Sequence, residues 1–253
     1  MRLRSLIREI TTKLHLYKPL YCVYSMLLQR EKCKQFDREF TCLLDEINNA
    51  PVSYPSHADT VLFTGIFYEE KKPTIRRFFS EIEECLEDAA FIYLDEQKKP
   101  EKAEDCWAHH YMPRAIRASG YDFFISYPLT KEMKRTLHEN ADVRRAAELL
   151  YLRQSKDMTR SYACALACWY NRVYRTIIDH YQPKAAVIWC KFPALHTLFD
   201  SICKEKGVIP LYMEYGSLPG TFALERCGQM GESRIATDYR TFRERPTTQD
   251  EEE

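Results

Sequence analysis

The chain has 253 residues, 45% of them hydrophobic and 29% charged, which is enough apolar content for a packed core and excludes an intrinsically disordered protein. Lys and Arg total 37 and Asp and Glu total 37, so the basic excess that accompanies general nucleic-acid binding is missing. The length admits one large domain or two small ones.

Residues 1–34 stand apart, with eight Lys and Arg against two Glu. Leu3, Leu6, Ile7, Ile10 and Leu14 recur at helical spacing, so the segment reads as a basic amphipathic helix. Such a helix either lies on an anionic membrane surface or packs on the domain that follows. Pro19 is expected to break it, and a second helix to run over 34–48. From residue 58 strands and helices alternate. Thr60–Thr64 is a β-rich run that ends at Gly65, and Pro73 opens a helix carrying Ile75, Phe78, Phe79, Ile82 and Leu86. Ala89–Leu94 is the second strand, and 96–111 reads as polar loop. A short helix over 112–119 ends at Gly120, and Tyr121–Ser126 is the third strand. Helices follow over 129–138 and 141–181, the latter with a break near Ser155.

The clearest unit comes last. Pro183 closes a helix, and Ala185–Cys190 forms a strand. Leu195, Leu198, Phe199 and Ile202 then fall on one helical face, Gly207 caps that helix, and Val208–Met213 forms the next strand. Alternation of this kind predicts an α/β protein, a doubly wound parallel sheet flanked by helices, with an N-terminal helical extension. The domain boundaries expected are 1–57 for the extension, 58–240 for the sheet domain and 241–253 for an acidic disordered tail.

Ten cysteines occur without a Cys-x-x-Cys pair. Cys164 and Cys168 share a helix face and read as buried thiols. The start of the chain shows no uninterrupted apolar leader, and no run reaches the roughly 18 apolar residues of a membrane span. A reducing compartment, the cytoplasm, is the expected location, with a peripheral membrane contact through residues 1–34 as the variant.

In open parallel sheets ligands bind beyond the carboxyl ends of the strands. That rule selects Tyr68 and Arg76 after the first strand, and Lys191 after the fourth. After the fifth it selects Glu214, Tyr215, Gly216 and Ser217. Five of the seven glycines lie between 207 and 231, so the loop Glu214-Tyr-Gly-Ser-Leu-Pro-Gly-Thr221 is either a structural Ω-type turn or a backbone cradle with a carboxylate at its lip. In the second case Glu214 is a general base for a hydroxyl or a hydrogen-bond acceptor for a polyol. His196, in the first turns of the helix after the fourth strand, contacts an anion or sugar or is simply packed. No G-x-G-x-x-G, P-loop or Asp-x-Asp pattern is present, and Gly216-Ser217 lacks the spacing of a nucleophile elbow. Cys106, His109 and His110 read as a solvated loop rather than metal ligands, so no metal is expected.

The segment Tyr212–Ser233 resembles a stretch of bacterial capsule and lipopolysaccharide glycosyltransferases of the two-domain GT-B type. There a strand ends in Glu-x-Gly, followed by Pro-Gly-Thr and an Asp-x-x-Gly-x-Asn-x-x-Ser-like segment. Glu214, Gly216, Pro219, Gly220, Thr221, Gly228 and Ser233 match, while Glu225 replaces the Asp and Met230-Gly231 departs from the Asn. The upstream Pro-x-x-Ala-Val-Ile-Trp and Gly-Val-Ile-Pro are also similar, so the resemblance spans about residues 58–240. It implies a Rossmann-like acceptor-side domain without a cofactor of its own. Glu214 would serve as base, and Tyr68, Arg76, Lys191, His196, Tyr215, Gly216, Ser217, Pro219, Gly220 and Thr221 would contact substrate. The implied partners are a glycan acceptor and a nucleotide sugar, the latter held by a second domain; a non-catalytic glycan-binding or assembly subunit is the alternative.

Overall fold

A computed structural model describes residues 17–51, 59–64, 89–95, 108–113, 115–116, 126–154, 158–190, 193–216, 221–228 and 234–244. The expected helices at 1–16 and after Pro73, most of the strand at 121–126 and the acidic tail lie outside these residues. The chain forms two compact units, Met1–Cys42 with Ala115–Cys168, and Leu43–Arg114 with Trp169–Glu253. The division falls inside two helices, α1 (Tyr17–Asn49) and α4 (Arg160–Tyr181). Pro19 does not break α1. It is the third residue of the helix, where a backbone N–H has no intrahelical acceptor to lose.

The first unit is helical among its described residues. Helices α2 (Lys131–Glu139) and α3 (Ala141–Gln154) join the first part of α4. Side chains cap the start of each. The Met133 amide donates to Thr130 Oγ1 (3.1 Å), the Val143 amide to Asn140 Oδ1 (3.0 Å) and the Tyr162 amide to Thr159 Oγ1 (3.2 Å). An aromatic cluster fills the interior, with Phe36 edge-on to Phe40, Tyr127 and Tyr162. Tyr127 donates its hydroxyl to Asp37 and its ring is buried.

The second unit holds a six-stranded sheet, flanked by helices. Its strands are β1 (Asp59–Thr64), β2 (Ala89–Asp95), β3 (Ala108–Tyr111), β4 (Ala185–Trp189), β5 (Ile209–Tyr215) and β6 (Phe222–Glu225). The order is β3-β2-β1-β4-β5-β6, parallel throughout except for β6. Two departures from expectation stand out. The third strand is Ala108–Tyr111, within the stretch read as polar loop, and Met112, Pro113, Ala115 and Ile116 are not helical. A strand of four residues, two of them histidines, carries almost no period-2 signal; its identity comes from tertiary partners. Secondly, the chain after β5 returns antiparallel as β6, which prolongs β5 beyond Met213 and includes Glu214 and Tyr215 in the ladder.

Both faces of the inner strands are apolar. Leu62, Ile92, Leu94, Ala186, Ile188 and Tyr212 are buried on one, and Phe91, Tyr93, Val187, Trp189 and Met213 on the other. Helix α5 (Ala194–Glu205) covers the first face over β4 and β5 with Leu198, Phe199 and Ile202. Gly207 ends it as expected, at φ 74°, with its amide donating to Lys204 O and the Val208 amide to Cys203 O. Helix α6 (Arg234–Glu244) follows β6. Burial raises the Cys168 thiol to about 12 and raises that of Cys203, whereas Cys42 and Cys227 are exposed. Among the described residues no helix is long and apolar enough to cross a membrane.

His110 links three elements of this unit. Its Nδ1 lies 2.9 Å from Glu46 on α1 and its Nε2 2.7 Å from the Tyr181 hydroxyl at the end of α4. Burial holds its pKa below the usual value against the opposing pull of the Glu46 carboxylate, with His109 and His180 adding to the depression. The neutral ring is therefore the native form, and the unfolded chain takes up the extra proton. Stability is expected to be full above the ordinary histidine value of about 6.5 and to fall as pH drops below it. In thermal denaturation at about pH 7.5 and about pH 5.5, His110→Gln is expected to be less stable than the native chain at the higher pH and to show a smaller loss between the two.

Candidate functional site

The site expected at the carboxyl ends of β4 and β5 is built by backbone pairing. Trp189 pairs with Met213, and the Cys190 amide donates to Met213 O at 3.0 Å, so the two strand ends lie level. Cys190 then takes φ 51°, in the left-handed region that β-compatible residues avoid. Its carbonyl receives the Nδ1–H of His196 at 2.9 Å. A carbonyl can only accept, so Nδ1 carries a proton and is the donor of this bond. His196 is buried and fastens the start of α5 to the end of β4.

Glu214 and Tyr215 are successive residues of β5 and so face opposite sides of the sheet. Glu214 shares a side with Tyr212, whose hydroxyl donates to Asp200 of α5 at 2.6 Å. Asp200 is buried and also receives Lys204 Nζ at 2.8 Å. Glu214 pairs with Ala223 and is half-buried. Tyr215 stands on the other side, with Met213 and Trp189. Its ring meets Trp189 edge-on at 4.9 Å and stacks on Phe222 at 5.8 Å. The loop between β5 and β6 is closed by the Gly216 amide, which donates to Thr221 O at 2.8 Å. A Cβ on Gly216 would run into the Thr221 side chain and lie 3.1 Å from its carbonyl carbon, so close approach rather than positive φ requires glycine here.

Of the residues expected to act, Glu214, Tyr215, Gly216 and Thr221 are thus placed on one hairpin, with His196 behind the neighbouring strand end. Tyr68, Arg76, Lys191, Ser217, Pro219 and Gly220 lie outside the described residues. Trp189 and Phe222 were not anticipated; the period-2 pattern of Ala185–Trp189 already set Trp189 beside Val187, whereas Phe222 becomes visible only with β6. Glu225, at the position where the resemblance has Asp, accepts the Arg234 amide at 2.7 Å and so caps the start of α6. Tyr127, expected after a sheet strand, belongs to the helical unit instead. Among the described residues no group of three or more His, Cys, Asp or Glu is arranged to hold a metal ion. His109 stacks on Tyr111 at 4.2 Å, while His110 is engaged with Glu46 and Tyr181.

Comparison of the chain with protein-family models, with curated proteins and with solved structures finds no match.

The crowding at Gly216 yields a direct expectation. Gly216→Ala should destabilise the chain by about 1–3 kcal/mol in urea denaturation, the usual cost of forcing an atom into a packed site. Removing the obstructing side chain in Gly216→Ala/Thr221→Gly should recover part of that loss.

Proposed function

We propose that the chain contributes the acceptor-side, Rossmann-like half of a GT-B glycosyltransferase of cell-surface polysaccharide assembly, with Glu214 as its general base. The observation that carries this reading is a half-buried carboxylate at the carboxyl end of a parallel strand, at the root of a hairpin closed by Gly216 and Thr221. Two features support it. The strand order reverses between β1 and β4, the arrangement beside which open α/β sheets bind ligands, and β5 is the next strand outward. The matching residues Glu214, Gly216 and Thr221 also fall together in space.

In this mechanism Glu214 takes the proton of an acceptor hydroxyl as its oxygen attacks the anomeric carbon of the donor. The bond to the nucleoside diphosphate breaks and that group leaves with the electron pair. Amides of the hairpin and the cation of Lys191 or Arg76 steady the sugar or its phosphates, and the nucleotide sugar itself is held by a second domain. A specific observation favours the alternative of a glycan-binding or assembly subunit without catalysis: the Glu225 carboxylate is already committed to the start of α6.

Release of nucleoside diphosphate should be measured with a panel of nucleotide sugars and oligosaccharide acceptors, in the presence of the protein encoded next to this one. Glu214→Gln is expected to lower transfer by about 100-fold or more, the usual worth of a general base. Undiminished transfer in that variant would remove Glu214 from the mechanism. Glycan binding without release of nucleoside diphosphate under any condition favours the binding subunit.

A further inference from the structure

β3 lies at the opposite end of the sheet from β6, and among the described residues it pairs with β2 alone. Of its four residues only His110 is buried. The strand thus enters the core through a titratable ring. Three elements face that ring. Glu46 of α1 lies at Nδ1 and the Tyr181 hydroxyl of α4 at Nε2. His180 stands beside Tyr181, with the two rings 4.6 Å apart, and the register partner on β2 is the apolar Leu94. His109 precedes it on β3 itself. A carboxylate oxygen can only accept, so Nδ1–H donates to Glu46, and Nε2 of the neutral ring accepts the Tyr181 O–H. A second proton, on Nε2, would meet the phenol hydrogen and force the buried phenol to turn.

Charge on the ring is also poorly compensated. The Glu46 side chain is 58% exposed, so water screens its pull, and His109 and His180 act against it. Burial therefore dominates and favours the neutral ring. The elements around it keep apolar anchors of their own. Ile47 on α1, Ile177 and Ile178 on α4, and Ile92 and Leu94 on β2 are all buried. β3 has none.

We propose that His110 is an acid-sensitive clasp for the edge strand: its protonation detaches β3 from β2 while β2, β1, β4 and β5 stay paired. The element without an apolar anchor is the one that yields, and the opening stops at Met112, which is buried and apolar. Such a release is local, distinct from a uniform loss of stability, and it bares the backbone edge of β2. It stands apart from the chemistry assigned to the rim.

The test is hydrogen exchange of the full chain at about pH 7.5 and about pH 5.5, corrected for the pH dependence of intrinsic exchange. Protection of the β3 amides should fall about tenfold, the advantage that proton binding gives an open histidine with an ordinary value of about 6.5. Protection in β4 and β5 should hold. His110→Gln should leave β3 equally protected at both pH values, whereas His109→Gln and His180→Gln should retain the fall. Equal losses in β3 and in β4 and β5 overturn the clasp, since acid then acts on the whole unit. So does a β3 whose protection ignores pH, or a fall that survives His110→Gln. Should that variant fail to fold, the ring C–H signals of His110 in the native chain decide. Titration at the ordinary histidine value with β3 protection unchanged overturns the proposal, and titration in step with the loss of β3 protection supports it.

Discussion

The pairing of β4 with β5 is the constraint on which the sheet unit depends. β4 is the junction between the β3-β2-β1 half and the β5-β6 half, so every relation between the two passes through its backbone hydrogen bonds. The ladder continues past the strand ends in both directions, from the Ile209 amide to Lys184 O and from the Cys190 amide to Met213 O. At the other end of β4 the Lys184 amide donates to Thr60 O, and its ammonium pairs with Asp59. That ion pair is exposed and adds little to stability. The apolar burial of Val187, Ile188, Trp189 and Met213 on the two sides of the ladder holds it in the core.

A second constraint follows from the first. With the register fixed, the pleat separates neighbours at the rim, so Glu214 shares its side with Tyr212 and the Asp200–Lys204 pair, while Tyr215 shares its side with Trp189 and Phe222. One side of the rim is therefore polar and backed by α5, and the other is aromatic. The left-handed turn at Cys190 adds to this division, since it lets the strand end pack against the aromatic side while its carbonyl holds His196. A non-glycine residue in that conformation costs on the order of 1 kcal/mol, which the packing on both sides of it offsets.

Much of the sheet was legible in the sequence where burial is continuous. Thr60–Thr64, Ala89–Leu94 and Ala185–Trp189 are uninterrupted β-rich runs, and the i, i+3, i+4, i+7 face of α5 with Gly207 behind it permits one reading. What escaped depends on distant partners. β3 is short and histidine-bearing, and it is held by β2, Glu46 and Tyr181, none of them near it in sequence. β6 exists because β5 offers it an edge. The start of α1 runs through a proline whose position in the first turn, and not its identity, decides whether a helix survives. At the rim, the glycine-rich loop and Glu214 could be located from the sequence. That Glu214 lies within a strand, with its neighbour facing away from it, could not, because it follows from the unrecognised return of the chain.

The bond from Gly216 to Thr221 has a consequence for how this rim can diversify. The ends of the intervening four residues, Ser217 to Gly220, are anchored by that bond and by the β5–β6 ladder on either side. The entropy of bringing those ends together is met by the frame and not by the four residues themselves. Substitutions that keep this bond and the ladder leave the junction of the two strands in place.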